Sequence, residues 1–369
     1  MMIGVDAGAL SITDERLRVG VWRVTFYLLR ELSSLDRNNT YRLYSFRPID
    51  RDVMKYFGSN MQNVVLTPTI GWSSVRLPLE LKIRPVDVFL GLAQTLPSSL
   101  SNTIGFIYDL GFLFHPEAYG ASAQKLAKQT KLLVERARHI VTISESSKRD
   151  ILAHYGLKNE RVTVAYPGVG LKRSHLVKKQ GETLKTPYFL FVGSLNKAKD
   201  LPLAIEAFAL FLKKTKKPYD FLLIGGEYWP DPRIGALIDQ YKLEQHVHKV
   251  GHISDDALVA YYRGATALVA TGLREGFCLP AAEAMACGTP VVAINRGAMK
   301  EVVGKGGIVV EERGLKSAIT NLANALMNAT DLKTRERLSK QASTRARKFR
   351  WKAFGNVIYQ QINMLTHEH

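Results

Sequence analysis

The chain has little cysteine and no long, purely apolar run, and each shortage narrows the classes of protein to which it can belong. Two cysteines among 369 residues, Cys278 and Cys287, cannot form a disulfide framework, which favours a reducing compartment. An uncharged stretch at 88–108 is broken by Gln94, Pro97 and other polar residues, so it is not a spanning helix. The N-terminus enters a predicted strand without a secretion signal. We therefore expect a cytoplasmic protein.

Acidic residues are also scarce relative to basic ones. The chain has 33 Asp and Glu against 51 Lys and Arg, a formal net charge of +18 that is spread over both halves. Such a field attracts anions, which here means nucleotide diphosphates, anionic lipid head groups or nucleic acid. Since no helix-turn-helix, zinc-finger or aromatic stacking signature accompanies the charge, we do not expect a nucleic-acid partner.

Strand and helix patterns alternate along most of the sequence. With 46% hydrophobic residues the chain can bury a core in each of two domains. Residues 188–310 alternate cleanly, and the N-terminal half does so less regularly, which predicts an α/β fold with two Rossmann-like, doubly wound parallel sheets. Residues 168–186 are rich in Lys, Gly and Ser and are the hinge candidate between them.

The most informative segment is 274–292, which contains Glu275 and Glu283. A buried strand, a loop and a helix with Pro280 in its first turn are predicted there. The free amides and positive dipole of that helix entrance suit a diphosphate without a metal ion. Gly276 lets the backbone approach closely. The amides are those of Phe277, Cys278 and Leu279.

The two carboxylates would reach different parts of a ligand at this entrance. A carboxylate accepts two hydroxyl hydrogen bonds, which suits a hexose at Glu275 and a ribose at Glu283. In the alternative interpretation Glu283 only complements the helix dipole and Glu275 is a solvated loop charge. The flanking segments favour a sugar-nucleotide site.

The spacing of the two glutamates matches the E-x7-E signature of retaining GT-B glycosyltransferases, and nearly the whole chain resembles glycosyltransferase family 4. The other matching segments follow in the same order as in that family; they are 108–117, 141–148, 166–169, 191–199 and 301–304. The resemblance implies the GT-B fold, two Rossmann-like domains facing a central cleft. It places an acceptor domain at 1–170, to which a C-terminal helix at 350–366 returns, and a donor domain at 184–349.

The resemblance also assigns roles on the donor side. Lys199 would stabilise the leaving diphosphate, with Lys197 as a further candidate. Where the family usually carries an arginine this chain has Ser194, which offers only a neutral hydrogen bond. Gly20 matches, loosely, the glycine turn that faces the donor phosphates from the first domain; an ordinary turn is the alternative.

In the N-terminal half, Tyr108-Asp109 aligns with the family's His-Asp pair. Tyrosine does not shuttle protons near neutral pH, so either a histidine is not essential or the activity is altered. Asp109 is expected to position the sugar or the acceptor, with capping as the alternative. Ser144 could contact the ligand or cap the following helix.

For the reaction, we expect transfer of a hexose from a nucleotide diphosphate sugar to a glycan or lipid-linked acceptor, with no cofactor and no metal. The 109–117 segment looks most like bacterial mannosyltransferases of surface-polysaccharide assembly, which favours GDP-mannose. Basic residues on the stretch 125–138 suggest a peripheral position at an anionic membrane surface, a solvated helix face being the alternative. A non-catalytic sugar-nucleotide-binding scaffold and a phosphate-binding isomerase are the other functions considered. The Asp-x-Asp at 50–52 and the histidines at 246, 248 and 252 are interpreted as structural.

Overall fold

The computed structural model describes residues 1–14, 17–18, 20–68, 70–98, 100, 102–170 and 186–367. The chain divides into two compact units. The first comprises Met1–Leu113, Ala121–Gly168 and the segment from Arg350 onward; the second comprises Phe114–Gly120 and Val169–Phe349. Most of the hinge candidate at 168–186 lies outside the described residues.

The first unit is built on a seven-stranded parallel sheet in the order β3-β2-β1-β4-β5-β6-β7. Its strands are β1 Met2–Asp6, β2 Thr40–Ser45, β3 Met61–Val65, β4 Val88–Gly91, β5 Thr103–Phe106, β6 His139–Thr142 and β7 Val162–Val164. Its helices are α1 Gly20–Leu35, α2 Arg51–Met54, α3 Leu77–Ile83, α4 Gly111–Phe114, α6 Ser122–Arg136, α7 Glu145–Tyr155 and α15 Trp351–His367. The C-terminal residue of α4, Phe114, and the short helix α5, Pro116–Tyr119, belong to the second unit.

The C-terminal helix α15 packs on α1 within the first unit. The rings of Trp351 and Tyr27 stack with centroids 4.7 Å apart. Gly355 lies against Glu31, where an added Cβ would be 2.7 Å from the Glu31 Cβ. The two helices therefore approach closely at that point, which a larger residue at position 355 would prevent.

The second unit has a six-stranded parallel sheet in the order β10-β9-β8-β11-β12-β13. Its strands are β8 Tyr188–Val192, β9 Asp220–Ile224, β10 Val247–Gly251, β11 Ala267–Ala270, β12 Val291–Ile294 and β13 Gly307–Val310. Its helices after α5 are α8 Leu201–Thr215, α9 Arg233–Tyr241, α10 Asp255–Gly264, α11 Leu279–Ala286, α12 Met299–Val303, α13 Leu315–Thr330 and α14 Leu332–Ala346.

The prediction of two doubly wound parallel sheets is confirmed. The central strands are apolar along their whole length because helices cover both faces; all of β11 and β12 is buried. In each sheet the strand order reverses once, between β1 and β4 and between β8 and β11. Ligands of such sheets bind beyond the carboxyl ends of the strands at these reversal points.

Candidate active site

The reversal point of the second sheet brings together the loops that follow β8 and β11. The first loop leads through a short helical turn, Lys197–Lys199, into α8, and the second leads through Glu275 into α11. Side chains and backbone from both loops line one cavity, which includes Gly193, Lys199, Thr271, Glu275 and Cys278. Three of the predicted site residues, Lys199, Glu275 and Cys278, therefore meet in one place.

Lys199 and Glu275 are in direct contact. The Lys199 Nζ donates to the Glu275 Oε1 at 2.8 Å, with 30% of the lysine side chain and 13% of the glutamate side chain exposed. Burial by itself lowers the pKa of Lys199, but the adjacent Glu275 carboxylate outweighs that effect and the pKa is raised above its ordinary value. Lys199 is therefore a permanent cation at neutral pH.

The two loops are hydrogen-bonded to each other. The Thr271 hydroxyl donates to the Lys199 carbonyl at 2.9 Å, and the Leu273 amide donates to the Ala198 carbonyl at 2.9 Å. Because these bonds fix both main chains, the Lys199–Glu275 pair rests on a rigid base rather than on two independent loops.

A third loop, which follows β12, supports Glu275 from behind. The Ala298 amide donates to the Glu275 carbonyl at 2.8 Å. Gly297 has a φ of +58°, and a Cβ there would lie 2.4 Å from the Glu275 carbonyl oxygen. Only glycine fits both the left-handed backbone and the close approach.

Arg296, which was not predicted from the sequence, joins all three loops. Its guanidinium donates to the Asp200 carboxylate at 2.7 Å, to the Thr271 carbonyl at 3.0 Å and to the Glu312 carboxylate at 2.5 Å. Its side chain is 13% exposed. Asp200 directly follows Lys199, so Arg296 is a positioning residue for the site. No motif marks such a residue, because its partners are distant in sequence.

The start of α11 combines a left-handed backbone at Cys278 with a free amide at Leu279. Cys278 precedes the helix with a φ of +67°, and its carbonyl accepts hydrogen bonds from Ala281 and Ala282. Leu279, as the first helical residue, has no acceptor within the helix for its amide, and Pro280 has no amide hydrogen. Burial, with the Glu275 charge adding to it, raises the pKa of the Cys278 thiol to about 12, so it stays protonated.

Glu283 lies inside the second unit. It is 4% exposed, and its Oε2 accepts a hydrogen bond from the Tyr262 hydroxyl at 3.1 Å. The Tyr262 carbonyl in turn accepts the Thr289 hydroxyl. Glu283 therefore links α11 to α10, and its predicted contact with a ribose stays a prediction.

The other predicted residues of the second unit range from exposed to buried. Ser194 lies in the loop after β8, where its carbonyl accepts the Asn196 amide at 2.9 Å, and Lys197 is exposed. Gly276 is buried, and the Phe277 ring packs edge-on against Phe349 with centroids 5.0 Å apart. Their ligand roles are untested predictions.

Within the first unit, three predicted residues lie at the carboxyl ends of β5 and β6. The Tyr108 hydroxyl donates to the Leu92 carbonyl at 2.8 Å, and Asp109 accepts the Gly111 amide at 2.9 Å. Ser144 is fully buried and caps α7 by accepting the Ser147 amide at 3.0 Å. Asp109 and Ser144 therefore both bond to backbone amides at or near the start of a helix. Their contact with a ligand stays a prediction.

Gly20 is the first residue of α1, and nothing lies within 4 Å of where its Cβ would be. The open space around it agrees with either an ordinary turn or a close approach by a ligand. Its role stays a prediction.

Asp6, at the end of β1, was not identified from the sequence. It is 4% exposed, and burial raises its pKa to about 6, although the Gly8 amide, which donates to it at 3.1 Å, acts in the opposite direction. Burial also raises the pKa of Tyr108, and the Asp6 charge adds to this. The signal in the sequence was an acid at the end of an otherwise apolar strand.

The metal-like motifs have local structural partners. Asp50 caps α2 by accepting the Asp52 amide, and Asp52 pairs with Lys55. His246 and His248 both lie near Asp220, at 3.7 and 3.6 Å. Among the residues described, no group of three or more His, Cys, Asp or Glu is arranged to hold a metal ion.

The predicted membrane-facing stretch is helix α6. Its lysines at 125, 128 and 131 are exposed, but Leu133 and Val134 are buried in the core. Within the described chain, every helix is too short or too polar to cross a bilayer.

Solved structures share the two-sheet architecture. Sucrose-phosphate synthase from Thermosynechococcus elongatus superposes with a TM-score of 0.74 over 99% of this chain and 98% of that chain, at 20% identity. HepE of Anabaena, solved in complex with UDP and glucose, gives 0.72 over 98% of this chain and 99% of that chain, at 16% identity. The fold is that of the GT-B glycosyltransferases.

Two family models match consecutive parts of the sequence: "Glycosyltransferase Family 4" at residues 104–173 and "Glycosyl transferases group 1" at residues 172–345. The chain belongs to glycosyltransferase family 4, group 1, as the sequence motifs predicted.

Two similar proteins are mannosyltransferases. The O-antigen chain mannosyltransferase B of Escherichia coli is 25% identical over 278 residues, which cover 73% of this chain and 71% of that protein. The O-antigen chain mannosyltransferase RfbU of Salmonella typhimurium is 28% identical over 234 residues, 62% of this chain and 63% of that protein. The second alignment thus spans less than two thirds of the relative.

Proposed function

We propose that this glycosyltransferase is a retaining, metal-independent hexosyltransferase that moves mannose from a nucleotide diphosphate sugar, GDP-mannose in the first place, to a glycan or lipid-linked acceptor. The observation that carries the proposal is the Lys199–Glu275 pair at the reversal point of the second sheet, beside the entrance of α11. The pair supports the proposal because a permanent cation and a carboxylate able to accept sugar hydroxyls lie where doubly wound sheets bind ligands.

The diphosphate would bind between Lys199 and the start of α11. An ammonium group has three donors, and the contact with Glu275 uses one, so two remain for phosphate oxygens. The Leu279 amide and the positive end of the helix dipole add to this. Glu275 would accept hydrogen bonds from sugar hydroxyls and so fix the sugar over the phosphate.

In the proposed reaction, the bond from the sugar C1 to the β-phosphate oxygen breaks while a bond from C1 to the acceptor hydroxyl oxygen forms on the same face. The hydroxyl proton passes to an oxygen of the leaving diphosphate. Lys199 stabilises the charge that develops on that phosphate, a contribution of the kind that typically reaches 10²- to 10³-fold in rate for one donor.

The names of the two mannosyltransferases support mannose as the sugar, and their O-antigen role supports a glycan or lipid-linked acceptor. HepE was solved with UDP. A test of which nucleobase the donor carries must therefore include uridine nucleotides.

The first experiment is a thermal-shift panel of nucleotide diphosphate sugars, followed by measurement of nucleotide diphosphate released from the best donor. We expect GDP-mannose to give the largest shift and slow hydrolysis without an acceptor. Glu275→Gln should reduce both the shift and the hydrolysis, because an amide loses the charge that pairs with Lys199 and accepts fewer hydroxyl bonds.

Glu244→Gln is the matched control, since Glu244 is an exposed glutamate of the same unit. It should behave as the unmodified protein. A donor that binds but is never hydrolysed or transferred would instead indicate a sugar-nucleotide-binding scaffold, and an unchanged Glu275→Gln variant would contradict the proposed site.

A further inference from the structure

The first unit exposes four large aliphatic side chains within one short segment. Ile70 is 90% exposed, Val75 65%, Leu79 49% and Ile83 66%. Single exposed apolar residues are ordinary on protein surfaces, but several of them within one short segment indicate an interaction surface where they share a face.

Three of these residues form a stripe along one helical face. Val75, Leu79 and Ile83 are spaced four residues apart, so they lie above one another where the helical turn at 72–76 continues into α3. Leu77 and Leu81, each 2% exposed, point from the opposite side into the core. The helix is therefore apolar on two faces, and the core of the unit needs only one of them.

Basic side chains border the apolar stripe, which we define as Val75, Leu79 and Ile83. Lys82 is exposed and directly precedes Ile83, and Arg76 directly follows Val75 at the end of the π-helical turn 72–76. Arg84, with a side chain that is 65% exposed, follows at the helix end. The one carboxylate of the helix, Glu80, is turned inward at 7% exposure and lies 3.6 Å from Arg76 and 3.7 Å from Arg84. The outer face is therefore apolar and cationic.

Helix α6 lacks such a surface. All of its exposed positions are polar or charged, three of them lysines, whereas Leu126 and Leu132 are half-buried and Leu133 and Val134 are buried. Charge alone gives weak, diffuse attraction to a bilayer, whereas apolar side chains flanked by cations can enter the head-group region. The apolar stripe is therefore a better candidate than α6 for contact with a membrane.

We propose that the apolar stripe docks on an anionic phospholipid bilayer, with its aliphatic side chains among the acyl chains and its cations at the phosphates. This proposal rests on the proposed function, because it assumes that the acceptor is lipid-linked. The stripe begins after β3, at the carboxyl edge of the first sheet. That is the edge at which such sheets bind ligands, so docking would present this edge to lipid-borne substrates.

The test is co-sedimentation of the full-length protein with phosphatidylcholine vesicles, with and without phosphatidylglycerol. We expect binding only when phosphatidylglycerol is present. Val75→Ser/Leu79→Ser/Ile83→Ser should lower the partition coefficient at least about tenfold, since three aliphatic groups no longer leave water. Lys82→Gln/Arg84→Gln should lower it by roughly fivefold per charge and weaken its dependence on salt.

Leu315→Ser/Leu332→Ser is the matched control, because these leucines are 60% and 64% exposed on helices of the second unit. This variant should bind vesicles like the unmodified protein, and circular dichroism melting should show that all variants fold. The stripe variant is not expected to lose its fold, because the replaced side chains are exposed.

Three results would overturn the proposal. The stripe variant could bind anionic vesicles unchanged, or the unmodified protein could bind neutral and anionic vesicles equally. Alternatively, sedimentation velocity could show a dimer that only the stripe variant loses, which would make a second copy the occupant. No donor or acceptor is present in these assays, so Glu275→Gln should bind vesicles normally, and failure of the proposed transferase activity would leave the vesicle result intact.

Discussion

Asp6 is a carboxyl group at the reversal point of the first sheet, where β1 ends beside β4 and water is largely excluded. Its neutral form is favoured in the folded protein because burial raises its pKa from 3.8 to about 6. The unfolded chain ionises Asp6 near pH 4 and the folded chain near pH 6. Asp6 therefore makes its full contribution to the free energy of unfolding below pH 4, and this contribution is lost as the pH rises through about 6.

The replacement Asp6→Asn should remove this loss. The difference between 3.8 and about 6 corresponds to roughly 3 kcal/mol, at 1.36 kcal/mol per pKa unit, as an upper limit. We expect the variant to match the unmodified protein near pH 4 and to be more stable above pH 6. Urea unfolding at both pH values measures this.

Asp239→Asn, at an exposed aspartate of the second unit, is the control and should show no such pH dependence. An Asp6→Asn variant that is less stable at neutral pH would mean that the charged carboxylate is bound by a partner in the folded state.

Individual site residues differ in how far the sequence could predict them. Glu275 was identified from the strand, loop and helix predicted around it, and Lys199 from the resemblance to the family. Both lie in loops at the carboxyl edge of the second sheet. Glu283 was placed one helical turn further, but which face of α11 is covered by α10 depends on tertiary packing. Asp6 and Arg296 depend on burial and on distant partners, which no local pattern encodes.

At the scale of secondary structure elements, the loop after β12 determines where Glu275 lies. Gly297 has left-handed backbone and touches the Glu275 backbone, while Arg296 joins the loop to those after β8 and β11. A shift of this loop would therefore move Glu275 relative to Lys199.

Gly297→Ala should produce that shift. The added Cβ would meet the Glu275 carbonyl at 2.4 Å and would also strain a backbone with a φ of +58°. We expect a loss of roughly 1–3 kcal/mol in stability and at least about tenfold weaker nucleotide binding. Thermal unfolding and titration with nucleotide diphosphate measure the two effects.

Gly235→Ala offers a matched comparison. Gly235 lies within α9, and nothing is within 4 Å of its added Cβ, so alanine should raise stability by roughly 0.5–1 kcal/mol. If Gly297→Ala behaved in the same way, the loop after β12 would not support Glu275 as we describe.

Sequence periodicity predicted the elements well where a helix has one apolar face and a strand is buried on both sides, as in β11 and α11. It says less about surfaces. The basic stretch of α6 favoured a membrane face, which stays a prediction, whereas the segment 70–83 carries exposed aliphatic side chains opposite its buried ones. Periodicity shows how apolar residues are spaced, but only the packed structure shows which of two faces is covered.

At the scale of the whole molecule, the two units are not two continuous halves of the chain. Phe114–Gly120 comes from the N-terminal half but belongs to the second unit. The Arg274 guanidinium lies 4.0 Å from the centroid of the Phe114 ring, and helix α5 packs against the turn Lys197–Lys199. The boundary predicted at residue 170 could not show this, because the excursion is short and carries no linker composition.

This arrangement predicts how the chain responds to a nucleotide. A nucleotide diphosphate bound at Lys199 and α11 should slow amide hydrogen exchange in the loops after β8 and β11, because bound ligand stabilises the closed form of its site. Slower exchange should extend to residues 114–120, which pack on these loops. Exchange in α6, which begins at Ser122 in the first unit, should change little.

Hydrogen exchange with mass spectrometry measures this with GDP and UDP, and with Glu275→Gln as a variant of weakened binding. The comparison is internal, since peptides from 114–120 and from α6 are neighbours in sequence but belong to different units. If residues 114–120 followed α6 rather than the loop of Lys199, the segment would not act as part of the donor-binding unit. If a nucleotide slowed exchange only near Lys199 and Glu275, the conclusion would be the same. The contact between Arg274 and Phe114 would then not stabilise residues 114–120.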